Sequence, residues 1–109
     1  MPKQDIELDR WLKGLSQIVG EVLWRDWDPM DVNEDVTHVG IYDEHIPGVL
    51  RLLLNDAEPS EVADLLWKIE EEDLQLSISQ ADTVDAANML VNEAHIFMIE
   101  HPKPSAFGQ

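Results

Sequence analysis

The chain has 109 residues, no cysteine and a formal net charge of −16. Its length is typical of one domain, and its hydrophobic content of 44% is too high for a disordered acidic tail. The absence of cysteine excludes disulfide scaffolds, thiolate metal sites and cysteine nucleophiles, and no apolar run approaches the ~18 residues that span a bilayer.

Apolar periodicity predicts a first helix from about Asp5 to about Arg25. Leucine and valine recur along it at alternating steps of four and three, as in an amphipathic helix, at Leu8, Leu12, Leu15, Val19 and Val22. Asp28-Pro29 then predicts a break, with Trp27 filling the core beneath it. Residues 29–42 show no period, which predicts a loop with room for a short turn of helix or strand.

Two prolines mark the starts of the next helices. Pro47 and Pro59 each suit a first helical turn, because the missing N–H has no intrahelical partner there. The second helix is expected to end near Asn55. A fourth helix is expected to begin at Asp82 or Thr83, either of which can cap it. Its predicted inner face consists of Val84, Ala87, Leu90, Val91, Ala94, Phe97 and Met98.

These elements predict an all-α fold, a small four-helix bundle with an irregular loop between helices 1 and 2. We expect a single helical domain over residues 1–109, with residues 102–109 as a loose C-terminal tail. The N-terminus lacks the charged-then-apolar order of a secretory signal, so a cytoplasmic protein is expected.

The charge is distributed unevenly along the chain. Between Asp31 and Glu100 there are 17 acidic residues and only two basic ones, Arg51 and Lys68, whereas the first thirty residues hold six acids and four bases. Such a field repels nucleic acid and anionic membranes and attracts basic surfaces. We therefore expect a basic protein partner, with neither nucleic acid nor membrane as a ligand.

Four consecutive acids, Glu70-Glu71-Glu72-Asp73, end the predicted third helix. Consecutive helical residues point in different directions, so the four do not form one chelating face. Acids at a helix C-terminus also oppose the helix dipole, and stability alone would favour basic residues there. Two interpretations stay open: a solvated surface, or a patch that steers a cationic partner.

Tryptophan is unusually frequent, with four residues against one tyrosine and two phenylalanines. Trp24 and Trp67 lie off the apolar stripes of their helices, which predicts partial exposure. An exposed tryptophan beside acids is typical of a protein-binding hot spot. The predicted partner contacts are Asp43, Glu44, Trp67, Glu70, Glu71, Glu72 and Asp73.

The sequence carries no motif for catalysis or for a cofactor. There is no Gly-x-Ser-x-Gly elbow, no phosphate-binding glycine loop and no pair of histidines at i and i+4. The acids from Asp26 to Asp35 suggest a calcium loop, but Pro29 breaks the spacing and the sixth position holds no glycine. We expect a protein that is not an enzyme and binds no cofactor or metal.

Three short motifs, Trp27-Asp28-Pro29-Met30, Tyr42-Asp43 and Ile69-Glu70-Glu71-Glu72, give the chain a family resemblance over roughly residues 8–100. It resembles a family of small acidic all-helical bacterial domains of unknown function. Members of that family recur beside polymorphic and contact-dependent toxin genes, where such proteins serve as immunity proteins. The resemblance implies an inhibitor whose partner is a cognate toxin domain.

Charge and resemblance together favour an immunity-type inhibitor that neutralises a basic toxin domain, foremost a nuclease. The alternative is a non-catalytic interaction module or an obligate homodimer whose acidity serves solubility. A metal-dependent enzyme or metal sensor is the third alternative, and it predicts a melting temperature that depends on calcium or zinc.

Overall fold

The computed structural model describes residues 3–76 and 82–104. Those residues form four α-helices, α1 (Lys3–Val22), α2 (Ile46–Leu54), α3 (Pro59–Lys68) and α4 (Thr83–Glu100). α1 and α3 continue into π-helical turns, Leu23–Trp27 and Ile69–Asp73, and two short 3₁₀ turns, Val36–His38 and Asp43–His45, lie between α1 and α2. The described part of the chain contains no strand, and the predicted all-α four-helix bundle is confirmed.

The helix boundaries follow the signals in the sequence. Pro47 and Pro59 both lie in first turns, and α2 ends one residue before Asn55. Asp82 caps α4, since its carboxylate accepts a hydrogen bond from the Asp85 N–H at 3.3 Å. Of the predicted tail at 102–109, residues 105–109 lie outside the described residues.

Every helix contributes to one hydrophobic core. α4 packs against α3 and α1, and α2 packs against the same two helices. The buried side chains at the centre are Leu15, Val19, Val49, Val62, Leu66, Ala87 and Leu90. Trp27 is 1% exposed, which confirms that it fills the core beneath the break after α1.

One predicted core residue of α4 is wrong. Val84 is 48% exposed, and the preceding Thr83 is buried instead. The buried stripe runs from Thr83 through Ala86, Ala87 and Leu90. Thr83 occupies the inner position because its hydroxyl donates a hydrogen bond to the buried Glu70, and the alanines that follow allow close packing of the helices.

None of the helices in the described residues combines the length and the apolarity needed to cross a membrane.

Candidate functional site: two acidic surfaces and a buried polar network

The corner after α1 is closed by the carboxylate of Asp28. The backbone at Asp28 is left-handed, with a φ of 33°, and reverses the chain after the π-helical turn. Its carboxylate accepts hydrogen bonds at 3.0 Å from the N–H groups of Val32 and Asn33 and at 2.7 Å from the Tyr42 hydroxyl. Asp28 therefore fixes the start of the irregular loop and joins it to the loop's end.

Tyr42 lies in the core beside two tryptophans. Its ring centre lies 5.3 Å from that of Trp27 and 6.2 Å from that of Trp24. Burial, together with the hydrogen bond to Asp28, raises the pKa of the Tyr42 hydroxyl well above 10.0. The hydroxyl also accepts a hydrogen bond from the Met30 N–H at 3.1 Å. The hydroxyl oxygen of Tyr42 therefore connects the start of the irregular loop, at Met30, to its end, at Tyr42.

Glu70 is buried, with 6% of its surface exposed. Its Oε2 accepts hydrogen bonds from Trp27 Nε1 at 2.8 Å and from Thr83 Oγ1 at 2.6 Å. This carboxylate joins the ends of α1 and α3 to the start of α4. Glu70 is thus engaged inside the fold and not exposed as the other predicted contacts are, and its role in partner binding stays a prediction. The position of Glu70 four residues after Leu66, on the inner stripe of α3, was the signal of its burial in the sequence.

The other three members of the acidic run are exposed. Glu71, Glu72 and Asp73, here called the acidic turn, lie in the π-helical turn that extends α3. Trp67 is 47% exposed and precedes Glu71 by four residues, which places the two side chains on one face. The exposure predicted for Trp67 is confirmed, and its role in binding stays a prediction.

His45 brings a second acidic segment next to the acidic turn. Its Nδ1 lies 4.0 Å from Asp73 Oδ2, and its ring meets Trp27 edge-on with centres 6.3 Å apart. His45 is buried, and its Nε2 has no hydrogen-bond partner among the described residues. The exposed Glu44 precedes it in the same 3₁₀ turn. The 3₁₀ turn that carries Glu44 therefore lies next to the acidic turn.

Asp43 belongs to a different surface. It lines an open groove of about 570 Å³ between α1 and residues 39–46, here called the α1 groove. Glu21 and Trp24 line it from the first helix, whereas no residue of the acidic turn does. Sequence reasoning missed this arrangement, because it depends on the path of the aperiodic loop.

Three of the acids that suggested a calcium loop, Asp26, Asp28 and Asp35, have side-chain partners within the protein. Asp26 binds Arg25 at 3.0 Å, and this hydrogen bond raises the pKa of the guanidinium. Asp35 accepts a 2.6 Å hydrogen bond from the Thr37 hydroxyl, which lowers the pKa of that carboxyl. Within the described residues, no group of three or more histidines and acids is arranged to hold a metal ion.

At least one residue from each of the three short sequence motifs belongs to one connected network. Trp27 binds Glu70 and packs on Tyr42, and Tyr42 binds Asp28. The buried members of these motifs therefore hold the corner of the fold together, whereas the exposed members, Asp43, Glu71 and Glu72, lie on the candidate binding surfaces. No family model, curated protein or solved structure matches the chain.

Proposed function

We propose that this protein is an immunity-type inhibitor that binds and neutralises a basic toxin domain, foremost a nuclease, through the acidic turn. The observation that carries the proposal is the exposed, uncompensated charge. The chain from Asp31 to Glu100 has 17 acids against two bases, and three of those acids are exposed at the C-terminal end of α3. Because the helix dipole disfavours acids there, selection for stability does not account for them.

Trp67 supports a protein partner over mere solvation. Nearly half of its surface faces solvent, beside the exposed Glu71 and Asp64. When a partner covers a large apolar ring, the ring is removed from water and the complex is stabilised. Tryptophan is also enriched among the residues that contribute most to binding energy at protein interfaces. We infer that Trp67 anchors the complex while the acidic turn orients it.

A nuclease is the foremost candidate because its active site must hold phosphate. Cationic surfaces built for phosphate are complementary to an acidic protein, which can occupy or cover them. Long-range attraction would raise the association rate at low salt, and buried aromatic contacts would slow dissociation. In this proposal, charge mainly raises the association rate, and apolar contact mainly lowers the dissociation rate.

The test begins with capture of the partner from the strain that encodes the protein, followed by growth assays in which the captured protein is expressed with and without the inhibitor. The informative variant replaces Glu71, Glu72 and Asp73 with lysine. Its matched control replaces three exposed acids elsewhere, Glu7, Glu34 and Glu100, with lysine, so both variants have the same net charge.

We expect the acidic-turn variant to slow association at low salt by about tenfold or more, and the control to slow it much less. Equal effects in the two variants would mean that only net charge matters and that the acidic turn is not the contact. A captured protein that is neither basic nor toxic, or the absence of any partner, would refute the inhibitor function.

A second candidate function is self-association through α4. The outer face of that helix exposes Met89, Ile96 and Ile99, which are spaced by seven and three residues and so share one face. The net charge of −16 opposes the contact of two copies. A homodimer predicts a melting temperature that rises with protein concentration, whereas a monomeric inhibitor predicts one that does not.

A further inference from the structure

The α1 groove is an open surface groove in which α1 meets the 3₁₀ turn that carries Asp43. Its floor passes over Gly20, where an added Cβ would lie 3.2 Å from Ile46 Cδ1 and 3.9 Å from Asp43 Oδ1. The Asp43 carboxylate thus reaches across from the 3₁₀ turn to the surface of α1. The volume of the groove, about 570 Å³, falls within the range of about 300–1,000 Å³ common for ligand sites.

Trp24 supplies an aromatic wall that is held in place. Its indole is half-buried and packs on Tyr42, while its carbonyl accepts a hydrogen bond from Asn33 Nδ2 at 3.3 Å. The indole therefore has one side fixed by the core and lines the groove as well. Tryptophan is the best aromatic partner for a cation, and a planar cation can also stack on it.

Two carboxylates line the groove, and one of them, Glu21, also interacts electrostatically with Arg25. In the part of the chain that the structure describes, neither oxygen of Asp43 takes part in a hydrogen bond or an ion pair, and Glu21 lies on the same wall as Trp24. The groove also contains Lys13, whose ammonium forms an exposed ion pair with Asp9 at 3.7 Å along α1. The groove therefore presents two carboxylates beside one aromatic ring.

We propose that the α1 groove receives an arginine side chain of the basic partner, with the guanidinium against Trp24 and its N–H groups donating to Asp43 and Glu21. This assignment rests on the proposed function, which supplies a cationic protein as the partner. Arginine fits better than lysine because its planar, multiply donating group satisfies a carboxylate and an aromatic face at once. Val39, which is 66% exposed at the edge of the groove, offers an apolar contact beside that arginine.

The proposal is tested on the purified protein with two short peptides. One is acetyl-Gly-Arg-Gly-amide, and the other has citrulline, a neutral isostere, in place of arginine. The indole N–H resonance of Trp24 is assigned by its loss in a Trp24→Phe variant, and it is followed by NMR as each peptide is added. We expect a saturable shift with the arginine peptide at millimolar concentrations and a much weaker one with citrulline.

Two variants of equal charge change locate the contact. Asp43→Asn is expected to lower the affinity for the arginine peptide about three- to fivefold, the upper range for one exposed ion pair. Glu71→Gln on the acidic turn should leave that affinity unchanged. Glu21→Gln provides a second groove variant, and amide spectra verify that each variant is folded. Equal shifts with both peptides, or equal weakening in Asp43→Asn and Glu71→Gln, would overturn the assignment.

The peptide titration and the capture experiment test the groove assignment and the proposed function separately. If a basic toxin is captured but the arginine peptide gives no saturable shift, the groove assignment is wrong and the inhibitor function stands. If the peptide binds as expected but no basic partner is captured, the groove is an arginine site and the proposed function is wrong.

Discussion

Replacement of Glu70 by alanine should be among the most destabilising single changes available in this protein. It leaves Trp27 Nε1–H and the Thr83 hydroxyl without an acceptor, and both side chains are almost fully buried, so water cannot replace the carboxylate. An unsatisfied buried donor costs about 1–3 kcal/mol. For two donors we expect a loss of about 3–4 kcal/mol, a large share of the roughly 5–15 kcal/mol that stabilises a typical domain.

The assay is urea unfolding followed by helical circular dichroism, with Glu71→Ala as the matched control. Glu71 is the next residue and carries the same side chain, but it is exposed, so its substitution should change the free energy of unfolding by less than about 0.5 kcal/mol. Glu70→Gln is informative because both donors converge on one oxygen, Oε2. A glutamine that places its oxygen there keeps both hydrogen bonds, so its cost should fall between those of the two alanine variants.

Either of two results would refute this reasoning. If Glu70→Ala and Glu71→Ala change the free energy of unfolding by the same amount, Glu70 does not join the three helix ends. If Glu70→Gln were instead as destabilising as Glu70→Ala, the cost would come from the lost charge, and the explanation by unsatisfied donors would be wrong.

Two further predictions concern buried contacts elsewhere. The raised pKa of Tyr42 means that the folded state holds the phenolic proton more tightly, so this stabilisation is complete below pH 10.0 and is lost as the pH rises further. Since the chain has one tyrosine, tyrosinate absorbance should appear at higher pH in the native protein than in urea, and coincident titrations would contradict its burial. Gly48→Ala should raise stability by about 0.5–1 kcal/mol, because the new Cβ meets Leu65 at an ordinary 3.7 Å. In Gly14→Ala the new Cβ would lie only 3.1 Å from the Phe97 ring, so we expect this steric conflict to cancel the gain in stability. If the melting temperature of Gly14→Ala equals or exceeds that of Gly48→Ala, the Phe97 ring moves aside without cost and the prediction is wrong.

The helices could be predicted from the sequence because their signals are local. Pro47 and Pro59 act on their own turns, and the apolar stripe of α1 needs only the helical period. Hydrophobicity alone misplaced Val84, because the inner position belongs to Thr83, whose hydroxyl donates a hydrogen bond to Glu70. That hydrogen bond joins α4 to the end of α3, so the pattern of α4 alone does not contain it.

The candidate surfaces were only partly predictable for the same reason. The exposure of Trp67 follows from its place off the stripe of α3, and the burial of Glu70 follows from its place on it. Side-chain type suggested the opposite for Glu70, since a carboxylate is rarely buried without partners. The meeting of Asp43 with Trp24 across the α1 groove required the course of residues 28–42, which no period describes.

The four tryptophans make this protein its own set of optical probes. Trp11 and Trp27 are buried, and each donates its indole N–H to a distant partner, the carbonyl of His101 and the carboxylate of Glu70, so their emission reports on folding. Trp67 lies beside the acidic turn and Trp24 lines the α1 groove. Variants that retain one tryptophan at a time would therefore separate, by emission wavelength and quenching, contact at either surface from unfolding of the core, without an added dye.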